Sequence, residues 1–290
     1  MNRRTSGLIY AFTAYGFWGI LPVYWKLIQG VVSIEILSNR ILWSFLLLAI
    51  LISATRQWGE IRKILGRSQE LPRILAASLL IAVNWGLYIW AVNAGRILDA
   101  SLGYYINPLI AVALGVAVYK EKLDRLTLTA LLLAAIGVLV RTVEYGQIPW
   151  VSLGLAVSFG LYGAIKKSFT TNSIVGLTIE TAFLAPFALF LILFRQVDGS
   201  GAYLQGDPVL ILLLAGSGIV TAFPLLLFAS SAKRLRLSEL GFIQYISPSI
   251  NLVLGVFVYH ETISPYGIAG FTIIWAALIL YSASQSRRIR

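Results

Sequence analysis

The sequence predicts an all-α integral membrane protein: ten transmembrane helices arranged as two inverted five-helix repeats, residues 1–145 and 146–290. Three observations carry the prediction. First, 58% of the residues are hydrophobic and only 12% charged, with a mean hydropathy of +0.83, well above a soluble domain. The apolar residues come in runs of about 20, long enough to cross a hydrocarbon core of roughly 30 Å as a helix. Second, the block from Tyr105 to Glu121 recurs 140 residues later: Tyr105, Ile106, Pro108, Ile110, Leu114, Gly115, Val116, Val118, Tyr119 and Glu121 meet identical residues from Tyr245 to Glu261. Third, Lys and Arg concentrate in alternate interhelical segments.

Spans are expected near residues 7–28, 33–53, 72–94, 99–119, 124–144, 149–168, 174–195, 208–230, 237–259 and 264–284. The first follows Asn2, Arg3 and Arg4 and mimics a signal peptide. It is too long for one, rich in Trp and Tyr, and has a counterpart in the second copy, so it is expected to be retained. The second and third flank the longest polar stretch, 54–71, too short for a soluble catalytic domain. The fourth and ninth hold the duplicated block. In the fifth, Ala130, Ala134 and Gly137 form a small-residue face that would serve either packing within the chain or a homodimer; monomer and homodimer both stand. The sixth reads Phe159, Gly160, Leu161, Tyr162, Gly163, echoing Tyr15, Gly16, Phe17, Trp18, Gly19 of the first. Pro22, Pro186 and Pro224 add kinks elsewhere.

The net charge of +11 does not point to nucleic acid once its placement is considered. Of the 23 basic residues, all but Lys26, Arg40, Arg96, Arg141 and Arg195 fall in one set of alternate segments, which makes those segments and both termini cytoplasmic. A five-span unit is odd, so its second copy must insert upside down. The loops agree: Lys120, Lys122 and Arg125 follow the first copy of the block, whereas no Lys or Arg lies between Arg236 and Arg287. The absence of Cys removes thiol chemistry, one His excludes a His-based metal cluster, and no nucleotide- or hydrolase-type motif occurs. No cofactor is expected, and the chain does not read as an enzyme.

With its YIxP…LGVxVYxE blocks and the stretch GLxYAFxAYGxWGxxPxYWK from Gly7 to Lys26, the chain resembles the EamA branch of the drug/metabolite transporter superfamily, most closely its RarD-type permeases. The resemblance implies ten helices with cytoplasmic termini in a bacterial inner membrane, and a pathway lined by spans one to four and six to nine. It also implies a small-molecule substrate, with export as the direction; the RarD name carries a link to chloramphenicol handling.

Ionisable residues inside a span are costly and face the bundle interior or water. Arg40, with Asn39 beside it and Trp43 one turn on, offers a planar fork for an anionic group of a solute. The alternative is an internal pair with Glu35 or Glu180. Glu180 is the candidate coupling carboxylate; a static partnership with Lys166 or Lys167 is the other reading. Asn84 and Tyr88, with Trp85, suit an aromatic or amphipathic solute, and Trp18, Tyr104, Tyr105 and Tyr245 either line the pathway or pack. Pro108 and Pro248 are candidate hinges, each removing a backbone hydrogen bond within a span. Asp99 and Glu239 are expected to cap helix starts, Glu121 and Glu261 to order loops or a gate, and Glu35 to lie at the interface. These residues suggest a secondary permease that moves a carboxylate-bearing or aromatic solute by alternating access, with proton coupling as a hypothesis. A lipid-carrier flippase or a non-transporting membrane subunit is the alternative.

Overall fold

The computed structural model describes residues 2–28, 30–66, 69–94, 96–146, 148–260 and 263–289, and all regular structure among them is helical. The helices are α1 (Arg3–Lys26), α2 (Ser33–Ala54), α3 (Trp58–Leu65), α4 (Leu71–Asn93), α5 (Ile97–Ala117), α6 (Arg125–Tyr145), α7 (Trp150–Ser168), α8 (Ser173–Val197), α9 (Pro208–Ala232), α10 (Leu237–Gln244), α11 (Ile246–Val253) and α12 (Pro265–Ile289). A 3₁₀ turn, Ala202–Gln205, precedes α9, and a π-helical turn, Leu254–Val258, follows α11.

Local chemistry explains the boundaries. Asn2, Asp124, Asn172 and Asp207 accept backbone N–H bonds at the starts of α1, α6, α8 and α9, where helical donors lack partners. Pro208 opens α9 at a position where its missing N–H costs nothing. Gly146 ends α6 in the left-handed conformation (φ 73°).

Eight helical segments are long and apolar enough to cross a membrane: those at α1, α2, α4, α6, α8, α9, the run Leu237–Val258, and α12. The expected spans at 99–119 and 149–168 are helical too, as α5 and α7, but are not among these eight. The membrane-crossing helices turn apolar side chains outward: Phe187, Phe190, Leu193 and Phe194 on α8 and Leu132, Ile136 and Leu139 on α6 are all exposed, the reverse of a water-soluble surface. The polar stretch after α2 contains the short α3, which buries Ile61 and Ile64.

The expected ninth span, Leu237–Val258, is interrupted by a single turn at Tyr245, itself in right-handed helical conformation, that separates α10 from α11. Pro248 lies in the first turn of α11, and its missing N–H leaves the carbonyl of Gln244, on the other side of the turn at Tyr245, without an i+4 donor. Pro108 does lie inside α5. The small face of α6 is used within the chain: Ala130 and Ala134 are fully buried, and a Cβ on Gly137 would come within 2.8 Å of Ile274 of α12.

Helix contacts cross between the sequence halves throughout. α1 packs on α9 and α11, α2 on α8 and α9, α4 and α5 on α7, α5 on α10, and α6 on α12.

Candidate functional site

Helical phase decides which polar and aromatic side chains meet, since neighbours in sequence point about 100° apart while i, i+3 and i+7 share a face. Tyr15, Trp18, Pro22 and Trp25 of α1, Tyr104 and Asn107 of α5, and Gln244, Ser247 and Asn251 of α10 and α11 form three such stripes. All border one cavity of about 230 Å³. Arg40, Asn84, Trp85, Tyr88, Phe159, Thr221 and Pro248 also line it.

Arg40 occupies one wall. Its guanidinium lies 4.8 Å from the Trp25 ring and 5.1 Å from the Trp85 ring, and its Nε donates to Thr221 Oγ1 at 3.0 Å. Among the described residues no carboxylate lies within ion-pair distance of it. Glu35 is committed to Arg195 (3.1 Å) and Glu180 to Lys166 (2.5 Å), so the alternative of an internal pair for Arg40 is not what the structure contains. Asn84 Nδ2 donates across to Leu155 O and Ser158 Oγ of α7 at 2.8 and 2.9 Å.

Four sequence candidates do not line the cavity. Asn39 and Trp43 share a face with Glu35, at four-residue spacing, and point to the 3₁₀ turn rather than to Arg40's side. Tyr203 donates to Asn39 Oδ1, and Trp43 Nε1 donates to Tyr203 at 3.1 Å. Glu35, expected at the interface, is buried, accepting from Arg195 Nε and, at 2.7 Å, from Ala202 N–H. Tyr105 packs edge-on to Phe271 at 5.2 Å, and Tyr245 donates to Tyr105 O at 3.3 Å. Both tyrosines sit one position off the lining stripe. Trp25, Asn107, Thr221, Gln244, Ser247 and Asn251 were not anticipated; for all but Thr221 the i, i+3, i+7 pattern was the available signal.

On the side of the α7 C-terminus an aromatic cluster borders the cavity. Trp18 meets Phe159 and Phe228 at 5.8 and 5.7 Å, and Phe228 stacks on Tyr162 at 6.0 Å. Behind it Tyr162 donates to Glu180 at 3.2 Å, and the Lys166–Glu180 pair is buried on both sides. Just past α9, burial and then the nearby Lys166 push the Lys233 ammonium down to about 8. Further along this face Glu121 accepts from the N–H groups of Leu237 and Ser238 at 2.7 and 3.0 Å and from Ser238 Oγ. It thereby caps α10 from the other half of the chain. Glu239 accepts from Arg236 N–H and pairs with Arg4 at 2.7 Å. Glu261 lies outside the described residues, as does the side chain of Asp99. Glu121→Ala is expected to cost about 1–2 kcal/mol through the lost cap, read by thermal unfolding in detergent; Glu121→Gln should lose less.

The sequence pattern of the "EamA-like transporter family" matches residues 5–143 and again 148–283. The chain is 47% identical to "Uncharacterized transporter YojE" of Bacillus subtilis, over 97% of this chain and 94% of that one. It is 41% identical to "Protein RarD" of Escherichia coli, over 97% and 95%, and 41% identical to "Protein RarD" of Streptomyces exfoliatus, over 100% and 92%. A solved structure titled "Crystal structure of protein" superposes with a TM-score of 0.74 over 99% of both chains at 17% identity, a likeness of fold alone. With apolar helices of membrane-crossing length and two matches that together span nearly its whole length, the chain is an integral membrane protein that belongs to the EamA-like transporter family.

Proposed function

We propose that the chain is a secondary permease in which two inverted five-helix repeats, residues 1–145 and 146–290, alternate access to the cavity between them. The observation that carries this reading is an arginine with no carboxylate at ion-pair distance among the described residues, its guanidinium over two indoles on the wall of a 230 Å³ cavity. A half-buried cation inside an apolar bundle, with no counter-charge among the described residues, is costly, and an anionic solute group would supply that charge. The repeat reading is supported by the packing. Exchanging α1 with α7, α2 with α8, α4 with α9, α5 with α10 and α11, and α6 with α12 turns the observed helix pairs into one another: α1–α9 into α7–α4, α1–α11 into α7–α5, and α6–α12 into itself. Tyr104 and Asn107 in one copy and their equivalents Gln244 and Ser247 in the other all border the cavity.

In this reading ten spans place both termini in the cytoplasm of a bacterial cell, and the solute bears a carboxylate and is aromatic or amphipathic. Export is the favoured direction. Its route toward the cytoplasm is shut by the aromatic cluster and by the Glu121 cap. Glu180 serves as the coupling carboxylate, since protonation would dissolve its pair with Lys166 and free α7 from α8. The protein works as a monomer or homodimer.

Uptake and efflux in proteoliposomes, across amino acids, organic acids and chloramphenicol with and without a pH gradient, tests this. Arg40→Ala is expected to lower transport of carboxylate-bearing solutes by roughly 10- to 100-fold, the worth of a charge-assisted hydrogen bond. Arg40→Lys should recover only part, because an ammonium neither forks nor lies flat between indoles. Unchanged transport in Arg40→Ala would remove the anion-orienting role.

A further inference from the structure

Two inverted copies close the opposite ends of a shared cavity with equivalent helix ends, so any inequality between the ends biases one conformation over the other. Here the ends are unequal. α5 packs on α10 at one end, and among the described residues it has no comparable packing on α11 at the other. Glu121, just past α5, accepts from the N–H groups of Leu237 and Ser238 and, at 2.7 Å, from Ser238 Oγ. Glu239, one residue on, pairs with Arg4 of α1 at 2.7 Å. Gly241 lets α10 approach α5 this closely, since a Cβ there would fall 2.6 Å from the carbonyl oxygen of Pro108.

Glu121 recurs in the sequence as Glu261, but the residues that serve it do not recur. In the register of the duplicated block, 140 residues apart, Leu98 stands for Ser238 and Ser101 for Gly241. In the register of 144 residues that relates Tyr15 to Phe159, Ile148 stands for Arg4. Leucine and isoleucine side chains donate no hydrogen bond, and serine carries the Cβ that Gly241 lacks. A cation over a tyrosine occurs at both ends, Lys167 on Tyr119 at 5.3 Å and Lys26 on Tyr259 at 3.0 Å. That contact does not distinguish them.

We infer that Ser238, Arg4 and Gly241 form a latch, present in one copy only, that makes the conformation closed at the Glu121 end the resting state. The inference rests on the permease reading, which places that end in the cytoplasm. The solute-free protein then waits open to the outside, and loading from the cytoplasm requires the latch to release. Loss of a hydrogen bond to a carboxylate shifts such an equilibrium by roughly tenfold or more.

The chain contains no cysteine, so one reporter thiol tests the proposal. Ser247→Cys, on the cavity wall, is reacted with a membrane-impermeant thiol reagent in right-side-out and in inside-out vesicles. Reaction from the outside is expected to be at least about tenfold faster than from the cytoplasmic side. Adding Ser238→Leu with Arg4→Ile, the counterparts from the other copy, should lower that ratio at least about tenfold, the cytoplasmic rate rising as the external rate falls. A misfolded variant would instead react faster from both sides. Ser238→Ala should move the ratio the same way by a smaller factor, and Ser238→Thr, which keeps the hydroxyl, should leave it unchanged. An unchanged ratio in the paired variant, or a lone reporter that reacts equally from both sides or faster from the cytoplasm, overturns the latch and leaves the permease reading standing. A reporter unreactive from either side removes the open pathway, and both readings fall.

Discussion

Glu180→Ala is expected to destabilise the protein by about 3–5 kcal/mol, the largest loss from any single side chain considered. Lys166 of α7 and Glu180 of α8 are each 1% exposed, 2.5 Å apart, and Tyr162 donates to the second carboxylate oxygen. Removing the carboxylate leaves an ammonium with neither water nor counter-charge. Removing both charges is another matter: Lys166→Met combined with Glu180→Leu should recover most of the loss, since a buried pair often contributes little over well-packed apolar residues. A double-variant cycle by thermal or chemical unfolding in detergent measures this, and a single variant as stable as the double would contradict it. Glu180→Gln tests coupling separately. Under the coupling reading it keeps solute counterflow and loses the response to a pH gradient.

Gly218→Val is expected to cost about 3 kcal/mol and to impair transport. A Cβ at Gly218 would lie 2.4 Å from the Trp43 carbonyl carbon and 2.7 Å from the Ser44 nitrogen. Both are backbone atoms, which cannot rotate aside, so α2 and α9 would have to separate. Ser44 Oγ, which donates to Gly218 O at 3.1 Å, would lose its acceptor. One turn away in each helix, Arg40 and Thr221 would part as well. Gly218→Ala should fall between wild type and valine. Unfolding temperature and solute uptake measure the two effects, and a valine variant matching wild type in both would show that the crossing can yield.

The helical class was legible because burial in a bilayer imposes one pattern, long apolar runs, whatever the partners. The site was legible by residue type and not by phase. Arg40, Trp18, Asn84, Trp85, Tyr88 and Tyr104 do line one cavity. Asn39, Tyr105 and Tyr245 lie next to lining residues in sequence, and Trp43 lies three residues from Arg40, yet all four point elsewhere, because a uniformly apolar span offers no amphipathic contrast to set its rotation. Glu180's partner was among those weighed, but Lys166 and Lys167 point about 100° apart on α7, and only the rotation of that helix turns Lys166 to Glu180 and Lys167 to Glu121 and Leu235. The break at Tyr245 was invisible because the same ten residues recur in the unbroken α5. The blocks differ at their other seven positions, among them Asn107 against Ser247, Leu109 against Ser249 and Ala111 against Asn251.

The crossing of helices between the two halves has a further bearing. Residues contiguous along the chain do not make a self-contained body: α1, α2 and α6 each find major neighbours beyond the midpoint of the sequence. Neither half owns a private interior, so a lesion on either side of the midpoint is shared by the entire molecule. The duplication visible in the letters is, in three dimensions, one braided object.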